Sequence, residues 1–205
     1  KRIIWAPHWL YDAADLYSTS TFAEIYDFML ELTDKYKDKI QFAFKPHPML
    51  YKALQGRPVN GKKWSRKQID EYYNKWATLE NCQFENDSFT DLFLTSDAMI
   101  FDSISFMTEY MVTGKPSLFT SGEKNILDFD EFGLKVYSKL YQTKNLKEDI
   151  EKFIQDVVLK ENDYRKTERE EFINSYLKSP HNQTSAKNIY EYILKQLRGK
   201  WLIKT

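Results

Sequence analysis

The sequence predicts an α/β fold built on a doubly wound parallel sheet. Short apolar runs alternate with helical patterns from Arg2 to Phe119, and the connections between them are brief. Several of the runs also end in small polar or proline-bound segments, where parallel sheets build their ligand sites. The central stretch is Ser96 to Pro116, SDAMIFDSISFMTEYMVTGKP. It opens as a buried strand (Ala98, Met99, Ile100, Phe101), breaks into Asp102, Ser103 and Ser105, and runs into an apolar helical pattern ending at Gly114. A strand, a tight turn and a helix in that order place unpaired first-turn N–H groups at the sheet's carboxyl edge, and serine hydroxyls beside them make a phosphate seat. The simpler role for Ser103 or Ser105 is to cap the helix.

Arg2 to Pro7 (RIIWAP) reads as the first buried strand, followed by a polar loop through Ser20. Thr21 and Glu24 have capping-box spacing, and Phe22, Ile25, Tyr26, Met29 and Leu32 recur at helical intervals. Gln41 to Phe44 is a second strand, stopped by Pro46-His47-Pro48. Residues 51 to 65 have the composition of a loop with a basic bias: Gly56, Pro58, Asn60 and Gly61 beside Lys52, Arg57, Lys62 and Lys63. Ser65 and Gln68 form a second capping box, before a helix whose apolar face is Ile69, Tyr72, Tyr73, Trp76 and Leu79. A strand at Cys82 to Phe84, a brief helix from Ser88 to Leu94, the central strand, and a last parallel strand at Pro116 to Phe119 complete the sheet.

After Ser121 no convincing strand is seen, and three helices are expected. The first has a face of Leu146, Ile150, Phe153, Ile154 and Val157. The second is charged and spans Tyr164 to Leu177, and the last has a face of Ile189, Tyr190, Ile193, Leu194 and Leu197. The expected architecture is thus one Rossmann-like domain over residues 1–205 with extra C-terminal helices. No internal repeat or low-complexity tract is present.

Of the 205 residues, 30 are basic and 30 acidic, so no global field draws the chain to nucleic acid, and none is expected as a partner. The lone Cys82 excludes an internal disulfide or a multi-cysteine metal site and fits a reducing compartment. No apolar run approaches the roughly 20 residues of a membrane span. The expected location is cytoplasmic, either free or peripheral at the inner face of the cell membrane. The chain opens at Lys1 directly in a strand, so native residues before it are expected.

His47 is the most suggestive side chain. Lys45-Pro46-His47-Pro48 fixes an imidazole at a strand end, preorganised for hydrogen bonding or proton transfer. His8, after Ala6-Pro7, stands in the same relation to the first strand. The two histidines and Asp102-Ser103-Ser105 should therefore meet at one sheet edge. Glu109, four residues after Ser105, falls on the same helix face, where a buried carboxylate accepts from ribose hydroxyls or pairs with Lys115. His181-Asn182 most economically caps the last helix through Asn182. No metal-ligand spacing appears, and no P-loop, dinucleotide or nucleophile-elbow motif is present, so no metal or cofactor is expected.

Taken together, Ala6-Pro7, Lys45-Pro46-His47-Pro48, Ser96-Asp97, Asp102-Ser103-Ile104-Ser105, Glu109-Tyr110, Gly114-Lys115-Pro116 and His181-Asn182 resemble the CDP-glycerol glycerophosphotransferases over nearly the whole chain. The resemblance is to the carboxyl-terminal half only. It implies the donor-binding domain of a two-domain GT-B enzyme that moves glycerophosphate from a CDP-linked donor to a polymer or lipid-linked acceptor. It also implies a further amino-terminal domain of the same protein. His47 matches the family's functional histidine near the donor phosphates and is the expected catalytic residue. Lys45, His8, Asp102, Ser103, Ser105, Glu109, His181 and Asn182 are the expected substrate-binding residues. The family's Asp-Tyr-Ser-Ser turn has Ser103 and Ile104 in place of its Tyr and first Ser, and His8 stands where a Thr is usual. The competing readings are a UDP-sugar glycosyltransferase or epimerase, and a non-catalytic nucleotide-binding module.

Overall fold

A computed structural model describes residues 1–11, 20–121 and 129–201, the side chains of 182 and 199–201 excepted. Six parallel strands form one sheet: β1 (Arg2–Ala6), β2 (Gln41–Phe44), β3 (Cys82–Phe84), β4 (Ala98–Phe101), β5 (Ser117–Phe119) and β6 (Tyr141–Gln142), in the order β3-β2-β1-β4-β5-β6. This is the Rossmann-like order, and its direction reverses between β1 and β4. In register, Trp5 lies opposite Phe44 on one side and Ile100 on the other.

The helices are α1 (Phe22–Lys35), α2 (Leu50–Gly56), α3 (Arg66–Thr78), α4 (Thr90–Thr95), α5 (Phe106–Glu109), α6 (Glu131–Tyr137), α7 (Leu146–Lys152), α8 (Lys166–Phe172) and α9 (Ser185–Trp201). Because strand side chains alternate between faces, the apolar runs divide into two cores. Ile3, Trp5, Phe42, Phe44 and Ile100 pack under α1, α2, α3 and α7. Ile4, Ala43, Met99, Phe101 and Phe119 pack under α4, α5, α6 and α8. The first core is aromatic at its centre, with ring centroids of Trp5, Phe44 and Trp76 separated by 5.0–5.4 Å.

Five local expectations are corrected. The basic segment after Tyr51 is not all loop, since α2 buries Leu50, Ala53 and Leu54 against the sheet. Tertiary burial outweighs its loop-like composition. A sixth strand, β6, follows Ser121. At two residues it is too short to show an alternating pattern, and it forms by pairing with Leu118 and Phe119. The helix read as ending at Gly114 is a single α turn, α5, followed by a 3-10 turn at Met111–Thr113, with Gly114 left-handed at φ 73°. Thr21 does not use its side chain to cap α1, whereas the Ser65–Gln68 capping box forms in both directions. The apolar face of α9 is not core: Ile189, Tyr190, Ile193 and Leu197 are all about half exposed or more.

The last layer is anchored by a buried charge. Arg169, 1% exposed, pairs with Asp163 and donates its Nε to the Gly114 carbonyl at 2.9 Å, tying α8 to the turn that precedes β5. Arg169→Ala leaves Asp163 without its cation and Gly114 without its donor. It should cost about 3–5 kcal/mol, read as a lowered urea midpoint with an unchanged slope.

Candidate functional site

The reversal point between β1 and β4 holds a pocket of about 300 Å³ at the carboxyl edge of the sheet. Such crevices are where open α/β sheets bind ligands, and the volume is at the lower end of the usual range for ligand pockets. Five expected residues line it: Lys45 and His47 from the end of β2, and Ser103, Ser105 and Glu109 from the turn after β4. A wider depression of about 1330 Å³ lies between Lys1, Lys39 and Asn81, at the opposite edge of the sheet. It holds none of the strand-end histidines or serines, and the amino edge of a parallel sheet is not where ligands bind.

His47 is fixed by its backbone. Its N–H donates to the Pro7 carbonyl at 3.0 Å, and its Nδ1 accepts the Met49 N–H at 3.1 Å. Burial and the nearby Lys45 charge hold its imidazole below the ordinary histidine value of 6.5, so the ring is neutral at pH 7. With Nδ1 accepting, the proton of the neutral ring sits on Nε2, which makes it a hydrogen-bond donor. His8 stands edge-on to His47, with ring centroids 4.8 Å apart. Its Nδ1 accepts the Leu10 N–H at 3.3 Å, and burial with the His47 ring pushes its pKa down to about 4. His8 supports His47 from the side and does not line the pocket.

Lys45 is 5% exposed, yet its ammonium has no hydrogen bond or ion-pair partner among the described residues. Burial lowers its pKa, and the carboxylates of Glu85 and Asp87 oppose that shift through longer-range attraction. A cation that opens on a pocket wall without a contact partner favours an anionic ligand.

The turn after β4 differs in detail from the expected helix-start seat. Tight i→i+3 bonds already take the first-turn amides, with Phe106 N–H on Ser103 O at 3.2 Å and Met107 N–H on Ile104 O at 3.1 Å. The N–H groups of Ser103, Ile104 and Ser105 make no hydrogen bond among the described residues, so the available donors are one turn earlier. Ser103 Oγ and Ser105 Oγ bond each other at 3.2 Å, and Ser105 does not cap the helix. Glu109 is exposed rather than buried. Lys115 does not pair with it, since its Nζ donates to the carbonyls of Phe93 and Leu94 at 2.8 and 2.7 Å.

Asp102 is 1% exposed, and both of its oxygens are engaged by the chain. Oδ1 accepts the His8 N–H at 2.5 Å. Oδ2 accepts the Thr21 N–H at 2.8 Å and the Ser20 hydroxyl at 2.9 Å, with the Thr21 hydroxyl at 3.2 Å. This is why Thr21 leaves its helix uncapped by its side chain. Burial pushes Asp102 up to about 6, against the pull of these hydrogen bonds. His181 is exposed in the 3-10 turn Pro180–Asn182, at φ 62°, and does not line the pocket. The Asn182 side chain is outside the described residues. Thr184 provides the cap of α9 instead, its Oγ1 accepting the Lys187 N–H at 3.2 Å.

Residues missed in the sequence include Asn86, Asp87 and Phe89, from the segment after β3, and Phe106 at the start of α5. Asn86-Asp87 carry the strand-end polar signal that marks Asp102-Ser103, but β3 is only three residues long and read as a minor strand.

No family model and no curated protein sequence matches the chain. Solved structures do. UDP-GlcNAc 2-epimerase from Neisseria meningitidis, bound to UDP-GlcNAc, is 17% identical with a TM-score of 0.53, over 95% of this chain and 44% of that one. A variant of the wall teichoic acid polymerase TagF is 17% identical with a TM-score of 0.53, over 98% and 44%. The MnaA–UDP structure from S. aureus is 14% identical with a TM-score of 0.50, over 82% and 39%. The chain therefore spans less than half the length of the proteins it resembles, and at these identities the likeness shows the fold. No described helix is long and apolar enough to cross a membrane.

Replacing the buried carboxylate tests the architecture of the site. In Asp102→Asn an amide NH₂ must face N–H or O–H donors, which should cost about 1–3 kcal/mol at pH 7. The pH dependence discriminates further. Asp102, raised from 3.8 to about 6, contributes stability that is full below about pH 4 and is lost as pH rises through 6. His8, lowered from 6.5 to about 4, contributes stability that is full above 6.5 and is lost as pH falls through 4. The two slopes oppose each other in one window. Urea titrations from pH 4 to pH 7 should show Asp102→Asn losing stability on acidification more steeply than the wild-type chain.

The fold these observations and comparisons establish is a doubly wound, Rossmann-like α/β fold.

Proposed function

We propose that the chain is the donor-binding domain of a transferase that moves glycerophosphate, or a similar polyol phosphate, from a CDP-linked donor to a polymer acceptor. The observation that carries this reading is the meeting of Lys45, His47 and the Ser103–Ser105 turn in one pocket at the sheet's reversal point. The wall teichoic acid polymerase among the solved structures of this fold supports the choice of reaction.

Transfer requires an acceptor hydroxyl to attack the donor's β-phosphorus, its proton passing to solvent or to a base outside the described residues, while CMP leaves with the electrons of the broken P–O bond. Negative charge then grows on the oxygen between the phosphates. Three groups suit that charge: the Lys45 ammonium, the His47 Nε2–H, and the N–H groups of Ser103, Ile104 and Ser105 with the two serine hydroxyls. All are set before the donor arrives, so little reorganisation accompanies charge transfer. Because the neutral His47 presents an N–H rather than a lone pair, its role is to hydrogen-bond the leaving phosphate, not to deprotonate the acceptor. Asp102 acts through His8 and Thr21, placing the ends of β1 and α1. Glu109, exposed at the pocket rim, is placed to meet ribose hydroxyls.

The second reading is a UDP-sugar enzyme, favoured by the two structural neighbours that contain UDP-GlcNAc or UDP. NMR titration of the chain with CDP and with UDP separates the two. Cytidine binding should shift resonances from Ser103 to Glu109 and around His47. Preference for UDP moves the assignment to the sugar reading, and no shift with either removes the pocket from consideration. Among variants, His47→Ala should weaken CDP binding about tenfold or more, the loss expected for a hydrogen bond to a charged group. His47→Gln, whose amide can occupy the Nε2–H position, should retain most of the affinity. Equal losses in both would show that the ring, not its donated proton, matters.

A further inference from the structure

A second concave surface, about 640 Å³ in volume, lies on the outer side of the α1–α3 layer, away from the carboxyl-edge pocket. Its aromatic wall is Trp64, with Tyr26 and Tyr72 edge-on to it at centroid distances of 5.0 and 5.5 Å. Its rim carries Lys62, Lys63 and Lys75, none of which makes an ion pair among the described residues. Two carboxylates also border it: Glu71, which pairs with Lys67 at 3.7 Å, and Asp27, whose charge lies near the Tyr26 hydroxyl.

The groove is rigidly built. Val59 and Lys62 exchange backbone hydrogen bonds at 2.8 and 3.0 Å around Asn60 and Gly61, both at positive φ (49° and 76°). This Asn-Gly hairpin turn is the favoured two-residue type. Asn60 Nδ2 then pins it to α1 through the Ala23 carbonyl at 2.7 Å. Trp64 leads into the Ser65 capping box of α3 and packs on Phe22 and Tyr72, which continue into the sheet core. Aromatic rings and three unpaired cations are thus held on one stiff surface, with little ordering left for a ligand to impose.

We infer that this groove holds an anionic chain of phosphodiester-linked polyols or sugars, at a distance from the pocket where transfer occurs. C–H faces of such a chain pack on Trp64 and Tyr26, and its phosphates meet Lys62, Lys63 and Lys75. The choice of polymer rests on the proposed transferase reading, whereas the groove and its chemistry do not. Nucleic acid offers the same combination of stacking face and phosphate, and an oligouridylate of matched charge therefore serves as its control.

The test is calorimetric titration of the chain with three probes: a glycerol phosphate oligomer, a neutral dextran oligomer of similar length, and an oligouridylate of matched charge. The glycerol phosphate oligomer should bind saturably, more weakly as salt is raised, and equally well when CDP saturates the other pocket. Lys62→Glu combined with Lys63→Glu should weaken it about tenfold or more. These lysines are exposed, so the variant keeps the fold, checked by its unfolding midpoint, whereas Trp64→Ala alters packing. Undiminished binding by the double variant overturns the inference, as does equal binding of dextran, which would show that phosphate is not read. Equal or tighter binding of the oligouridylate assigns the groove to nucleic acid instead. CDP shifts at Ser103 to Glu109 report separately on the donor pocket, so failure of either reading leaves the other measurable.

Discussion

The Asp102 carboxylate sits at the carboxyl end of β4 with almost no exposure and receives donors from across the sheet's reversal point, at both ends of the connection between β1 and α1. A buried charge is costly unless every lone pair is occupied, and the chain supplies the occupants from His8, Ser20 and Thr21. These are the segments that leave β1 and enter α1. The crevice between β1 and β4 therefore has its shape set by one carboxylate. Thr21 extends the network to Thr120 at 2.9 Å, and Thr143 reaches the Thr120 carbonyl at 2.9 Å, so strands β4, β5 and β6 are tied at the same edge. What looks in the sequence like a ligand-binding aspartate is the bracket that positions the groups around it.

The groups facing the pocket show the opposite economy. The Lys45 ammonium opens on the pocket, and neither it nor the N–H groups of Ser103 to Ser105 have a hydrogen-bond partner among the described residues. Leaving donors unsatisfied in folded protein costs free energy that packing elsewhere must offset. Here the offset is visible in two apolar cores, one on each face, with the aromatic cluster of Trp5, Phe44 and Trp76 directly beneath the strand ends that present Lys45 and His47. A stiff sheet edge is what keeps His47 and the Ser103 turn at a fixed separation, and fixed separation is what makes prearranged donors useful to a developing charge.

The apolar runs alone determined five of the sheet's six strands, because a strand buried on both faces has no alternative environment for residues such as Ile3, Ile4, Trp5, Met99 and Ile100. The same runs, with the polar breaks that end them, marked which strand ends would meet, and four of the residues singled out from those breaks, with Glu109 one turn along the helix, line one pocket. Four matters were decided only in three dimensions. β6 exists because β5 offers an open edge, and two residues carry no pattern of their own. α2 exists because Leu50 and Leu54 find a sheet to cover, despite surrounding residues that favour a loop. The face of α9 looks like core in sequence and is exposed in the fold, since periodicity records amphipathicity but not what covers it. The division of labour between Asp102, which holds the edge, and Lys45 and His47, which line the pocket, also depended on tertiary structure: whether a polar side chain is spent on its own chain is settled by which donors folding brings within hydrogen-bond reach.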